Sequence, residues 1–263
     1  MTTTGTLPRR LPTLVAVIAG MLLLQACTFG ESLEPEPTPE PTAVTFQPGD
    51  EAVGAVVDRG RAAWDEVAAW TAETRGDTSS TEGGISSTTT TTVILPDQRH
   101  VLTMNGDTVV TEEVVLGDTI YMRGTLVSSS IYPTVDAETW ISFSPDRVPE
   151  DSVLAQEVAF LTTPPDYPFG DFSEETRALP ASPSGETRVG DSTCEAWTFT
   201  TSTPEQPGID YTVAFDAEGR PCQLVRESGG VVETTVWTYP ATPEPITAPD
   251  NVTPVEEFPS LQG

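Results

Sequence analysis

Few residues in this chain can do chemistry. There is no lysine, so neither a Walker A lysine nor a Schiff-base amine exists. The single histidine, His100, sits in an alternating stretch that reads as a strand, where a structural or exposed role is the plain reading. No Gly-x-Ser-x-Gly elbow presents a serine nucleophile. Acids abound, 40 Asp and Glu against 12 Arg, so a glycosidase-like carboxylate pair is compositionally available. Nothing in the spacing selects one pair. We therefore expect no enzyme, no catalytic residue and no cofactor. The three cysteines, Cys27, Cys194 and Cys222, are left as the groups with chemistry to explain.

Cys27 has the most telling position. It closes Leu22-Leu23-Leu24-Gln25-Ala26-Cys27, behind Arg9-Arg10 and an apolar run from Leu11 to Leu24. A charged start, a short apolar middle and a small residue near the end mark a secretory signal peptide. The run is too short for the ~20 apolar residues that span a bilayer. Leu24-Gln25-Ala26-Cys27 resembles a bacterial lipobox, which implies lipid attachment at Cys27 and cleavage on its amino side. The other readings are an ordinary signal peptide with a chance cysteine, or an uncleaved anchor. One acyl chain holds a protein marginally and two hold it stably, so a diacylglyceryl group with acyl chains such as palmitate is a lasting anchor. The expected location is the extracytoplasmic face of the cell membrane.

Residues 1–26 carry two arginines and no acid, so their removal leaves a mature chain of about −30. Such a surface repels nucleic acid and anionic headgroups, and no nucleic acid partner is expected. Simple solubility explains it without a cationic partner. Residues 27–48 read as a lipid-anchored linker, with Pro and Glu alternating through Glu34-Pro35-Glu36-Pro37-Thr38-Pro39-Glu40-Pro41. Proline favours extended polyproline II and like charges repel, so the tether is stiff, at ~3 Å per residue. Residues 49–249 are the folded domain, long enough to bury about 70% of its unfolded surface. Residues 250–263 read as a flexible tail.

An exported setting and an even count favour a disulfide between Cys194 and Cys222. Closing that loop would stabilise by roughly 3–4 kcal/mol in the chain-entropy model. A pair of free thiols is the alternative. Two cysteines and His100 make no tetrahedral zinc site without carboxylates, and no metal is expected.

The positioning elements are legible by period. Asp50 and Glu51 can open a helix, and Val53, Val57, Gly60, Trp64, Val67 and Thr71 recur at helical spacing, widened by Val56, Ala63 and Trp70. That pattern predicts six or seven turns ending near Arg75-Gly76. The period then becomes two. Strands are predicted over Thr89–Leu95, Arg99–Met104, Thr108–Leu116, Thr119–Arg123 and Trp140–Ser144, with a hairpin turn at Asn105-Gly106. A helix through Val153, Leu154, Val158, Phe160 and Leu161 follows. Residues 163–190 read as a long Pro-rich loop, either functional or a cover for the sheet. Strands resume over Cys194–Thr201, Ile209–Phe215, Cys222–Glu227 and Val231–Tyr239. The expected fold is α+β: a curved antiparallel sheet of eight or nine strands, an unclosed half-barrel, with helices over its concave face. One conflict stands out. Cys194 and Cys222 lie on strands separated by a third, ~10 Å apart in a regular sheet, beyond disulfide reach. Either the chain before Cys194 curls over the edge or the meander is not simple there.

The lipobox, the Trp-bearing first helix, Gly117-Asp118-Thr119-Ile120-Tyr121-Met122-Arg123, Val189-Gly190-Asp191-Ser192-Thr193-Cys194 through Phe199, and Trp237-Thr238-Tyr239 ahead of Pro245-Ile246-Thr247-Ala248-Pro249 together resemble the LppX/LprG-type lipoproteins. These group with the lipoprotein carrier LolA and the sensor RseB. The resemblance covers residues 50 to about 250 and lies in the order of elements. It implies a half-barrel cavity that takes acyl chains. The long Pro-rich loop and the acidity depart from the pattern.

Candidate cavity residues are Trp64, Val67, Trp70, Tyr121, Trp140, Phe143, Phe160, Leu161, Trp197, Phe199, Phe215 and Trp237, each of which can equally fill an ordinary core. The functional expectation is an anchored lipoprotein binding a lipid or acylated ligand, for transport across the envelope. The alternatives are an RseB-like envelope sensor with a membrane-protein partner, and a structural surface lipoprotein with no ligand.

Overall fold

The computed structural model describes residues 45–78, 86–128, 135–148, 153–163, 165–170, 172–203 and 206–255. Cys27, the signal segment and the linker up to residue 44 lie outside them. In chain order the elements are β1 (Glu51–Ala52), α1 (Val53–Trp64), β2 (Ala69–Thr78), β3 (Ser86–Ile94), β4 (Gln98–Asn105), β5 (Thr108–Leu116), β6 (Thr119–Arg123), β7 (Trp140–Phe143), α2 (Val153–Thr162), α3 (Glu174–Arg177), β8 (Pro180–Val189), β9 (Ser192–Thr203), β10 (Gln206–Phe215), β11 (Pro221–Ser228), β12 (Val231–Thr238) and β13 (Val252–Pro254). Among the described residues no helix is long and apolar enough to cross a membrane.

All the strands join one open sheet in the order β1-β8-β9-β10-β11-β12-β2-β3-β4-β5-β6-β7-β13, antiparallel except for β13 on β7. The two edges never meet, so this is an unclosed α+β sheet, as expected, but with thirteen strands rather than eight or nine. Turn chemistry accounts for much of the meander. Gly106 takes φ of 57° in the Asn105-Gly106 turn between β4 and β5, a backbone position where glycine avoids strain.

Four expectations are corrected. The first helix stops at Trp64 after 12 residues, not near Arg75-Gly76. Ala69–Thr78 is instead a central strand between β12 and β3. Trp70 and Ala72 are buried on one face of it, a two-residue period that Val67, Trp70 and Thr71 had masked as helical. The loop assigned to 163–190 contains α3 and the ten-residue β8. Pro183 and Gly185 sit at a bulge in β8, whose outer neighbour is the two-residue β1, so a polar, proline-bearing strand is tolerated there. Within the stretch expected as a tail, Val252–Pro254 extends the sheet as β13, and residues 256–263 lie outside the described residues.

The disulfide forms as expected, and the fourth correction concerns how it spans the intervening strand. Cys194 and Cys222 are bonded, with Cα atoms 6.4 Å apart, although β10 lies between their strands. The meander is simple and the chain does not curl over the edge. Cys194 lies one residue beyond the last β9–β10 pair, Glu195 with Phe215. Cys222 is the extra residue of a bulge in which Ala214 pairs Gln223 and Phe215 pairs Pro221. With Ala196 and Ala214, both small, the two cysteines form a buried cluster of their own, so the bridge passes over the end of β10.

Helices and the loop before α3 cover one face of the sheet, over two clusters. The first joins α1 (Val53, Val56, Val57, Trp64) to Trp70, Trp197, Phe199, Val213, Phe215 and Trp237, with Tyr167 and Phe169 from the loop. The second joins α2 (Val158, Leu161) to Val101, Val115, Ile120, Met122, Ile141 and Phe143.

Candidate functional site

The space expected beneath the helices is occupied where α1 crosses the sheet. Phe169 is 1% exposed at the centre of the first cluster. Its ring meets Tyr167 at 5.5 Å, Phe215 at 5.4 Å and Trp237 at 5.8 Å, all edge-on, the geometry aromatic quadrupoles favour. The Tyr167 hydroxyl donates to the Val57 carbonyl of α1. Burial pushes the Tyr167 phenol well above its ordinary pKa, opposed by Arg61. Gly60 makes this approach possible. A Cβ there would lie 2.5 Å from Tyr167 Oη and 2.7 Å from Phe215 Cε1. The Pro-rich loop thus plugs the core with its aromatic residues. Their presence was visible in the sequence; their inward direction was not.

Open space survives beside α2. A groove of about 630 Å³ runs between the two clusters. Its floor is Trp70 of β2, Thr91 of β3 and Arg99 of β4; its walls are Ala159, Phe160 and Thr163 on one side and Pro165, Asp166, Tyr167 and Pro168 on the other. Phe160 is 61% exposed there, the most exposed large hydrophobic side chain among the described residues. A larger depression of about 860 Å³ lies by the C-terminal end of α1, but its rim carries Arg59, Glu66, Glu218 and Arg220. Arg220 there is bound to Asp216 and Glu218, and Arg59 to Glu51. The smaller, less charged groove suits an apolar ligand better.

Arg99 organises one end of the groove. It pairs across the sheet with Val93 and Val115, both buried, so its side chain shares their covered face. Only 7% of it is exposed. Its guanidinium donates to the Phe160 carbonyl at 2.7 Å and to the Thr163 carbonyl at 2.5 Å, capping the C-terminal end of α2 where helix carbonyls lack partners. Desolvation draws its pKa below the ordinary guanidinium value.

The structure divides the candidate cavity residues. Trp64, Trp70, Trp197, Phe199, Phe215 and Trp237 are in the first cluster, with Val67 packed against it. Phe143 and Leu161 are in the second. Tyr121 lies between the buried Ile120 and Met122 in β6, and Trp140 beside the buried Ile141, so both point to the opposite face. There Arg123 stacks 5.0 Å over the Trp140 ring. Trp70 and Phe160 alone of the twelve line the groove. Arg99, Ala159 and Tyr167 were missed. A signal for Arg99 existed: it shares the parity of Val101 in an alternating strand, which points it inward.

His100 lies on the opposite face, its Nε2 3.0 Å from Glu112 Oε1, and Arg123 Nε donates to the other oxygen of Glu112 at 2.7 Å. Among the described residues no group of three or more His, Cys, Asp and Glu side chains is placed to hold a metal ion.

No protein-family model and no curated protein matches the chain. Solved structures do. The lipoprotein LppX of Mycobacterium tuberculosis is 12% identical, over 71% of this chain and 93% of that one, with a TM-score of 0.41. LprF from Mycobacterium bovis is 10% identical, over 76% and 96%, with a TM-score of 0.38. MucB, solved in complex with MucA, is 14% identical, over 73% of this chain and 57% of its own, with a TM-score of 0.37.

Proposed function

We propose that this chain is an extracytoplasmic lipoprotein, anchored through Cys27, that binds the acyl chain of a lipid or acylated molecule in the groove beside α2. The observation that carries the reading is the groove itself. Its volume of about 630 Å³ falls among small-molecule sites. It keeps Phe160 in water beside Trp70, Ala159, Pro165 and Pro168, and covering that surface is favourable. Each methylene removed from water contributes about 0.8 kcal/mol, so an acyl chain of some ten carbons gains ~8 kcal/mol before the cost of immobilising it. Micromolar affinity or weaker follows. The ligand space is therefore beside α2, not beneath α1.

Trp70 supplies the assay. A terminally brominated undecanol should quench its fluorescence saturably on addition to the full chain. Ala159→Phe fills the groove from the exposed face of α2 without adding an indole and should abolish the quenching while far-ultraviolet circular dichroism stays unchanged. Equal quenching of the filled variant would refute the site. Anchoring has a separate test. Cys27→Ala should leave a folded protein released from membranes; continued membrane association would refute lipid attachment at Cys27.

A further inference from the structure

In a chain with 40 acidic residues, the one buried cation among the described residues is paired with none of them. Arg59, Arg61, Arg75, Arg123, Arg177 and Arg220 each have a carboxylate within ion-pair distance. Arg99 has two neutral carbonyls, those of Phe160 and Thr163. A guanidinium has five N–H donors, so a helix cap of this kind commits two and brings no carboxylate within ion-pair distance. Holding a charge at 7% exposure without a carboxylate partner is costly, and a neutral donor would cap the helix more cheaply. Arg99 also lines the groove, beside the apolar wall of Phe160, whose ring centre is 5.8 Å from its guanidinium carbon. On its other side it lines a second depression of about 210 Å³, with Val93, Val115 and Leu161. Charged groups facing this region are the exposed Asp166 on the groove rim, Asp97 and Asp118 around the second depression, and the buried Glu113, which lies on the same covered face two residues along β5 from Val115, has an interaction of its own and is not within ion-pair distance of Arg99.

Resting on the acyl-binding reading, we propose that Arg99 selects ligands that carry an anionic head on the acyl chain, a carboxylate or phosphate ester. The chain lies along Phe160 and Trp70, and the head takes the free donors of Arg99. A planar guanidinium pairs with such oxygens through charge-assisted, bidentate hydrogen bonds, stronger than those to a neutral alcohol. Asp166 and the acidic surface oppose free anions, so the chain is required as well as the head.

The test compares heads on one tail. Brominated undecanoate, undecyl phosphate and undecanol are titrated into the full wild-type chain, with Trp fluorescence quenching as the readout. Both anionic probes should bind at least tenfold tighter than the alcohol, and inorganic phosphate alone should not displace the alcohol. Arg99→Gln should bring the acids to the affinity of the alcohol measured on the same variant; Arg99→Lys should keep a preference. An acid-to-alcohol ratio near one in the wild-type protein overturns the proposal, and that measurement stands even if Arg99→Gln fails to fold. Displacement by inorganic phosphate alone also overturns it, as a free-anion site. If no probe binds at all, the acyl-binding reading itself fails; alcohol binding without acid preference sinks only the selectivity.

Discussion

Phe169→Ala probes the filled core directly. The ring is 1% exposed and meets three other rings at 5.4 to 5.8 Å. A buried Phe→Ala truncation costs about 3–5 kcal/mol, combining lost transfer energy with the cavity left behind. Edge-on ring pairs add ~0.5–1.5 kcal/mol each beyond their area, which places this site near the upper end, at about 5 kcal/mol. That is a large share of the ~5–15 kcal/mol that holds a domain together. At this size it lowers the melting temperature by roughly 10–20 °C. Urea unfolding followed by Trp fluorescence and circular dichroism gives the difference, provided the slope with urea is unchanged. Phe160→Ala is the control: the residue is 61% exposed, and its stability change should stay within about 0.5 kcal/mol. A loss below ~1.5 kcal/mol for Phe169→Ala would refute the claim that the loop plugs the core.

Gly60→Ala should destabilise by about 1–2 kcal/mol in the same urea assay, although alanine is the better helix former, because overpacking against Tyr167 outweighs the ~1 kcal/mol propensity gain. Replacing Cys194 and Cys222 together by alanine should cost roughly 3–4 kcal/mol, the loop entropy of a 28-residue separation, read as a lower urea midpoint. Tyr167 and Tyr239 have phenols raised mainly by burial above the ordinary 10.0. Their contribution is complete below that pH and is lost as pH rises toward the folded values. Phenolate absorbance should therefore show two phenols that ionise late, together with alkaline unfolding; ionisation of Tyr167 and Tyr239 near pH 10 in the folded protein would contradict it.

The strands were legible where alternation met turn residues. Thr108–Leu116 and Thr119–Arg123 match to the residue, because Asn105-Gly106 and Gly117-Asp118 leave no freedom in where the chain reverses. Trp70 was placed on a helix because Val67, Trp70 and Thr71 satisfy a helical spacing as readily as a strand, and only pairing with β3 and β12 decides between them. β8 was invisible because most of its residues are exposed, so a strand flanked only by the two-residue β1 shows no apolar alternation. The bonded cysteines depended on a bulge at Ala214 and Phe215 that no period reports. At the site, a list of large apolar residues could not say which face each takes. Strand parity could have done so for Tyr121, Trp140 and Arg99. The plug formed by Tyr167 and Phe169 depends on a loop path that local pattern does not specify.

Native mass spectrometry of the protein released from its own membrane tests the central claim most directly. The wild-type chain should carry a bound acyl-bearing mass that is absent from Ala159→Phe, the variant whose groove is filled. A clean ligand-free mass for the wild-type chain, or the same adduct on both proteins, would contradict the assignment of the groove beside α2 as a lipid site.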